Sequence, residues 1–194
     1  MHPDENNKMM INENHKPYEQ LTRYLAADIL KNKKPFSWRR VILRCIKQPQ
    51  HRYIFWWRIA SYLYGTESHF CKSRARKLNY SLIRKYGIEI MLGAQVGEGI
   101  RLPHLTGIVI NPHCIIGKNV RVRQNTTIGI KVDEGTRQIM IGDNVDIGAN
   151  CCIIGNGITI GHNVTIGAMS FINKDIPDNA VCYTEKSVKI IIKP

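Results

Sequence analysis

The chain has 194 residues and a mass of 22.2 kDa, the length of one domain or of one domain with a smaller appendage. Apolar residues make up 43% of it, which is enough for a packed core and excludes global disorder. The net charge of +13 is lopsided: residues 1–87 hold 18 Lys and Arg against 6 Asp and Glu, whereas residues 88–194 hold 10 against 9.

A basic half of this kind attracts nucleic acid, anionic lipid headgroups or a polyanionic substrate, or simply forms a solvated helical face. No helix-turn-helix, zinc-finger or RNA-binding signature accompanies the charge, so nucleic acid is not an expected partner. No apolar run approaches the roughly 20 residues of a membrane span. The best candidate, Ile54-Phe55-Trp56-Trp57, ends at Arg58. The opening Met1-His2-Pro3-Asp4-Glu5 carries no apolar signal core. The six cysteines form no CxxC or metal-spaced pair, so buried or free thiols in a reducing, cytoplasmic setting are expected.

Residues 1–16 read as a polar, disordered lead. From Pro17 the spacing predicts helices. Leu21, Tyr24, Leu25, Ile29 and Leu30 recur at three- and four-residue steps, and Asn32-Lys33-Lys34-Pro35 is a stop signal. Ser37 can cap a second helix carrying Val41, Ile42, Cys45 and Ile46, which Pro49 interrupts. A third helix is expected from about His51 to Tyr64 and a fourth, basic one from about Ser68 to Tyr86, with Gly87 as the boundary. Residues 17–87 thus read as a basic helical domain that could also touch a membrane surface, with Trp56 and Trp57 as candidate anchors or bundle core.

After Gly87 the period becomes six. Apolar residues fall at Ile90, Val96 and Leu102, then Ile110, Ile116, Val122 and Ile128. They continue at Ile141 and Ile147, then Ile154, Ile160, Ile166 and Ile172. A glycine follows most of them, and a small or β-branched residue comes four steps later: Val120, Thr126, Val145, Cys151, Val164 and Ser170. This is the hexapeptide repeat of a parallel β-helix: three short strands per coil, the two marked positions facing the prism interior, and Gly or Asn119, Asn144 and Asn163 in the turns. Residues 88–194 are assigned to it. The register slips between Leu102 and Ile110, between Ile128 and Ile141, and between Ile147 and Ile154, where surface loops are expected.

A hexapeptide β-helix behind a basic helical segment resembles the serine acetyltransferase-like branch of the acyltransferases, from about Leu21 to Lys193. The sharpest match runs from Tyr86-Gly87-Ile88-Glu89-Ile90 to Leu102-Pro103-His104-Leu105-Thr106-Gly107. The resemblance implies a left-handed β-helix and transfer of acetyl from acetyl-CoA; no pair of histidines has ligand spacing, so no catalytic metal is expected. It implies His104 as general base and Glu89, fifteen positions earlier, as the carboxylate that orients it. It places Arg137 and Gln138 at the acceptor. Gly129, Ala149 and Ala168 would lie along the pantetheine arm, and Lys186 at the nucleotide phosphates. It also implies a homotrimer or a dimer of trimers.

Within the branch, Ile176-Pro177-Asp178-Asn179-Ala180-Val181 and Glu185-Lys186-Ser187 look most like exopolysaccharide O-acetyltransferases. Serine acetyltransferases carry an aspartate for the serine ammonium where Pro103 stands, and a histidine where Gln138 stands. The expectation is therefore an O-acetyltransferase acting on a sugar hydroxyl of a surface polysaccharide or its precursor. Serine O-acetylation is the alternative.

Overall fold

The computed structural model describes residues 17–32, 35–131, 138–185 and 190–191. The predicted disordered lead lies outside them. α1 (Pro17–Leu25) runs on into a π-helical turn, Ala26–Leu30, that ends on Lys31 in the left-handed conformation. α2 spans Trp38–Lys47, α3 Pro49–Tyr64 and α4 His69–Tyr86. Pro49 does more than interrupt α2: it opens α3, where its missing N–H costs nothing. Ser37 sits at the N-cap of α2 without a side-chain cap bond, whereas the Ser68 hydroxyl accepts from Cys71 N at the start of α4. Gly87, at φ 63°, closes α4 in the left-handed region that only glycine adopts freely.

Among the described residues thirteen short parallel strands follow, in the order of a prism with three sides. One sheet, here sheet A, stacks β1 (Ile88–Ile90), β3 (Ile108–Ile110), β6 (Thr127–Gly129), β9 (Cys152–Ile154) and β12 (Phe171–Ile172). Sheet B stacks β2 (Gln95–Val96), β4 (Cys114–Ile116), β7 (Ile139–Ile141) and β10 (Thr159–Ile160). Sheet C stacks β5 (Arg121–Val122), β8 (Asp146–Ile147), β11 (Thr165–Ile166) and β13 (Val181–Cys182). This is the left-handed β-helix expected from the repeat. The small interior positions Val120, Thr126, Val145, Cys151, Val164 and Ser170 are all buried.

One repeat assignment is corrected. Ile128 pairs with Ile153, so Ile153 and not Ile154 fills the prism at β9. The extra residue lies after β9, and parallel pairing with β6 on one side and β12 on the other fixes that register.

The corner between sheets B and C holds the coils in step. Asn119, Asn144, Asn163 and Asn179 all take left-handed φ there, and along this ladder each side-chain amide donates to the next carboxamide oxygen at 3.0–3.2 Å. In the same turns, glycines leave room for the adjoining coil. A Cβ on Gly142 would lie 2.7 Å from the Gly161 carbonyl carbon and oxygen and 2.8 Å from His162 N. Backbone cannot swing aside as a side chain can. Gly142→Ala is expected to cost about 1–3 kcal/mol through overpacking, read as a lowered denaturation midpoint; an unchanged midpoint would show that the coils slide apart freely.

The helices are not a separate body. Tyr53, Ile54, Trp57 and Leu82 belong to the same buried cluster as the prism interior, while Leu21, Leu25, Ile29, Leu30, Val41 and Cys45 form a second, smaller one. Between the clusters lies a buried ion pair. Arg58 Nε donates to Asp28 Oδ2 at 2.8 Å and stacks over the Tyr24 ring at 4.2 Å. Its two other nitrogens donate to Val96 O and Gly97 O, and Asp28 Oδ1 accepts from Gly99 N and Ile100 N. Burial pushes the Asp28 carboxyl up, and Arg58 and the two amides oppose that.

His51 is buried in this layer, and its Nδ1 has no hydrogen-bond partner among the described residues. Burial first, then the charges of Arg44 and Lys31, hold its imidazole below the ordinary 6.5. The folded chain therefore binds fewer protons here than the unfolded chain does at mildly acid pH. The stability this contributes is complete above pH 6.5 and is lost as pH falls below it. Thermal midpoints should drop between pH 7 and pH 5 in the wild type and drop less in His51→Leu; equal drops would assign the acid sensitivity elsewhere.

Candidate active site

Alternation along β1 turns Ile88 and Ile90 inward and Glu89 outward, where it is half-buried. β3 pairs with β1 one coil on, Glu89 opposite Val109. The turn leading into β3 carries His104, which is exposed, between buried Leu102 and half-buried Leu105. Gly107 N donates to Gly87 O at 2.8 Å, so the turn is pinned to the residue just before β1. Gly107, at φ 64°, permits that pin: a Cβ there would lie 2.4 Å from Asn125 Oδ1. Glu89 and His104 thus stand on adjoining coils at one end of sheet A. No direct hydrogen bond joins them among the described residues.

The remaining predicted positions divide between two edges of the prism. Thr106 O accepts from Asn125 N, Gln124 O from Asn150 N, and Ala149 O from Met169 N. Thr106, Gln124, Ala149 and Ala168 therefore lie one above another along the edge that also carries the His104 turn. The side-chain oxygen of Gln124 is buried without a partner, and sequence patterning gave no reason to single out this residue. Ala149 is half-buried and Ala168 exposed. Gly129 lies at the far end of sheet A, and Gln138 is half-buried just before β7, so both flank the edge between sheets A and B. A Cβ on Gly129 would meet nothing within 4 Å. The coil itself does not require glycine there. Arg137 and Lys186 fall outside the described residues.

Another corner histidine, His162, has a structural task. His162 Nδ1 accepts from Asp143 N at 3.0 Å, and its own backbone N–H donates to Asp178 Oδ1. No disulfide joins the cysteines among the described residues, and burial pushes Cys45 up to about 11 and Cys114 up to about 12, which leaves both inert as nucleophiles at neutral pH. Among the described residues no three His, Cys, Asp or Glu side chains converge as a metal cluster, and no helix is long and apolar enough to cross a membrane.

Comparison with known proteins adds three findings. A family described as "Hexapeptide repeat of succinyl-transferase" matches residues 138–174. Among curated proteins, the serine acetyltransferase of Staphylococcus epidermidis is 44% identical over 92 residues, which is 47% of this chain and 43% of that one. That of Staphylococcus aureus is 42% identical over the same length. The chain thus spans less than half the length of these curated relatives.

Among solved structures, serine acetyltransferase isoform 3 from Entamoeba histolytica in complex with cysteine gives a TM-score of 0.71 at 29% identity, covering 92% of this chain and 62% of that one. The Neisseria gonorrhoeae enzyme in complex with serine gives 0.70 at 30%, covering 84% and 65%. The soybean apoenzyme gives 0.72 at 27%, covering 86% and 67%.

These likenesses support the serine acetyltransferase-like hexapeptide-repeat resemblance, and they overturn its narrower form. The expected sugar acceptor and the closeness to polysaccharide O-acetyltransferases fall, because the relatives and neighbours found bear the name serine acetyltransferase. The tail from Ile176 to Val181 with Glu185-Lys186-Ser187, and two single positions, Pro103 and Gln138, had carried that expectation. Neither position is decisive, because an ammonium needs only an acceptor oxygen in reach, and a corner crowded with backbone carbonyls can supply one from another residue.

Proposed function

We propose that this chain transfers the acetyl group of acetyl-CoA to the hydroxyl of L-serine, yielding O-acetylserine and free CoA. The observation that carries the reading is the exposed His104, held on a pinned turn one coil from the outward-facing Glu89, in a prism like that of the serine acetyltransferases. In this reading His104 takes the proton of the serine hydroxyl as its oxygen attacks the thioester carbonyl. The tetrahedral adduct then collapses, the carbon–sulfur bond breaks, and the departing thiolate takes the proton back from the imidazolium. Glu89 favours one tautomer of the neutral ring and stabilises the charged one. Acetyl-CoA is a cytoplasmic metabolite, and the proposed reaction belongs there.

The division of site positions between two edges supports a threefold assembly. Ala149 and Ala168 share the edge of the His104 turn, whereas Gly129 and Gln138 share another. A head-to-tail ring sets one edge of each protomer against the other edge of its neighbour, and three prisms close such a ring. The exposed apolar face of α2 (Ile42, Leu43 and Ile46, beside Arg39, Arg40 and Lys47) is the surface a peripheral membrane contact would use, and it takes no part in the chemistry.

The test is release of free thiol from acetyl-CoA on addition of L-serine, with O-acetylserine identified by mass. Serine-dependent, stoichiometric release is expected. Release no faster with serine than without it would remove serine as acceptor.

A further inference from the structure

We infer that α3 is the backing of the active site: Gln50, Tyr53 and Trp57 are positioning residues that hold the main chain beside His104 and Glu89. This rests on the roles given to those two residues above. The three side chains stand three and four residues apart and so share one face of the helix.

At one end of that face, Gln50 Nε2 donates to Pro103 O at 3.1 Å, the carbonyl of the residue before His104. At the other end, Trp57 Nε1 donates to Ile90 O at 3.0 Å, the carbonyl of the residue after Glu89. Between them Tyr53 is fully buried, its ring edge-on to Tyr86 at 5.5 Å between centroids. Its hydroxyl lies against the Ile90 backbone without forming a sound hydrogen bond. Burial, with the nearby Glu89 charge adding to it, keeps the proton on that oxygen.

Each contact answers a weakness in the site. His104 sits in a turn, not a strand, so its backbone lacks the ladder that fixes β1 and β3. The Gly107 pin lies three residues beyond it. Gln50 supplies the hold on the near side, from an element 53 residues away in sequence. A base displaced by about 1 Å loses much of its advantage, so this single bond matters more to rate than to stability. Tyr53 is the sharper clue. A buried tyrosine usually finds a partner for its hydroxyl. This one has none among the described residues, and its hydroxyl lies near enough to Glu89 to feel that charge. The basic helical half is then part of the working machinery, whatever else it touches.

The experiment uses the full chain with three variants: Gln50→Met, which keeps the reach and loses the N–H; Gln50→Lys, which restores a donor; and Tyr53→Phe, which removes only the hydroxyl. Two readouts are taken. One is the ¹⁵N spectrum of the His104 ring, assigned by its loss in His104→Ala. The other is kcat and KM for both substrates.

Gln50→Met should turn a single ring tautomer into a mixture and lower kcat about 10-fold, with both KM values within about twofold of wild type. Gln50→Lys should return both readouts, and Tyr53→Phe should move them in the same direction as Gln50→Met. An unchanged ring spectrum in both Gln50→Met and Tyr53→Phe overturns the proposal, as does a loss confined to KM. If the wild type does not turn over serine at all, the assigned function fails, and the ring spectrum still decides the role of α3.

Discussion

Serine-driven release of CoA from the His104→Ala variant is expected to fall by about 10²–10⁴-fold, the usual worth of a general base. The fold should survive, because His104 is an exposed turn side chain and the prism interior lies on the other side of Leu102 and Ile108. The loss should appear in kcat and kcat/KM alike, since proton removal belongs to the transition state and not to binding. Glu89→Gln keeps the shape and removes the charge, so it should give a smaller loss of the same kind. A His104→Ala variant that turns over at the wild-type rate would move the base elsewhere on the prism and would leave the pinned turn without a chemical role.

Asp28→Ala is expected to cost about 3–5 kcal/mol, since it strands a buried cation. The magnitude follows from what is left behind. The Arg58 side chain is 3% exposed and Asp28 is 0% exposed, so water cannot replace the lost carboxylate. Gly99 N and Ile100 N lose their acceptor in the same step. Chemical denaturation with the wild type alongside measures the difference. A loss under about 1 kcal/mol would mean that the pair behaves as a surface bridge does. Replacing both partners by apolar residues, Asp28→Leu with Arg58→Met, should recover part of the loss, because the unpaired charge is then gone.

Much of the prism was legible from period and composition. The interior column, the small inward positions and the left-handed asparagines follow from the six-residue repeat, since each coil meets the same steric demands. Ile154 was misplaced because two isoleucines stand side by side, and only pairing with Ile128 selects Ile153. Asp28 and Arg58 each carried a local signal, a charge inside an apolar helical stretch. That they are partners, 30 residues apart, depends on packing that no local pattern encodes. The roles of His104 and Glu89 came from resemblance in context, as did the acceptor that the comparisons then corrected. Gln50 and Tyr53 were invisible as site residues. Their spacing reads as an ordinary helix face, and the strand and turn that they support lie beyond the next helix in sequence.

The shared core of α3, α4 and the first coil makes the two ends of the prism unequal. Tyr53, Trp57 and Leu82 seal the end where the chain enters. At the other end β12 and β13 are the outermost strands of their sheets among the described residues. In a stack where each coil rests only on its neighbours, disorder enters where a coil has one neighbour instead of two. The first coil has two, the helices on one side and the second coil on the other, so the candidate site stands on a part of the spring that is held from both sides.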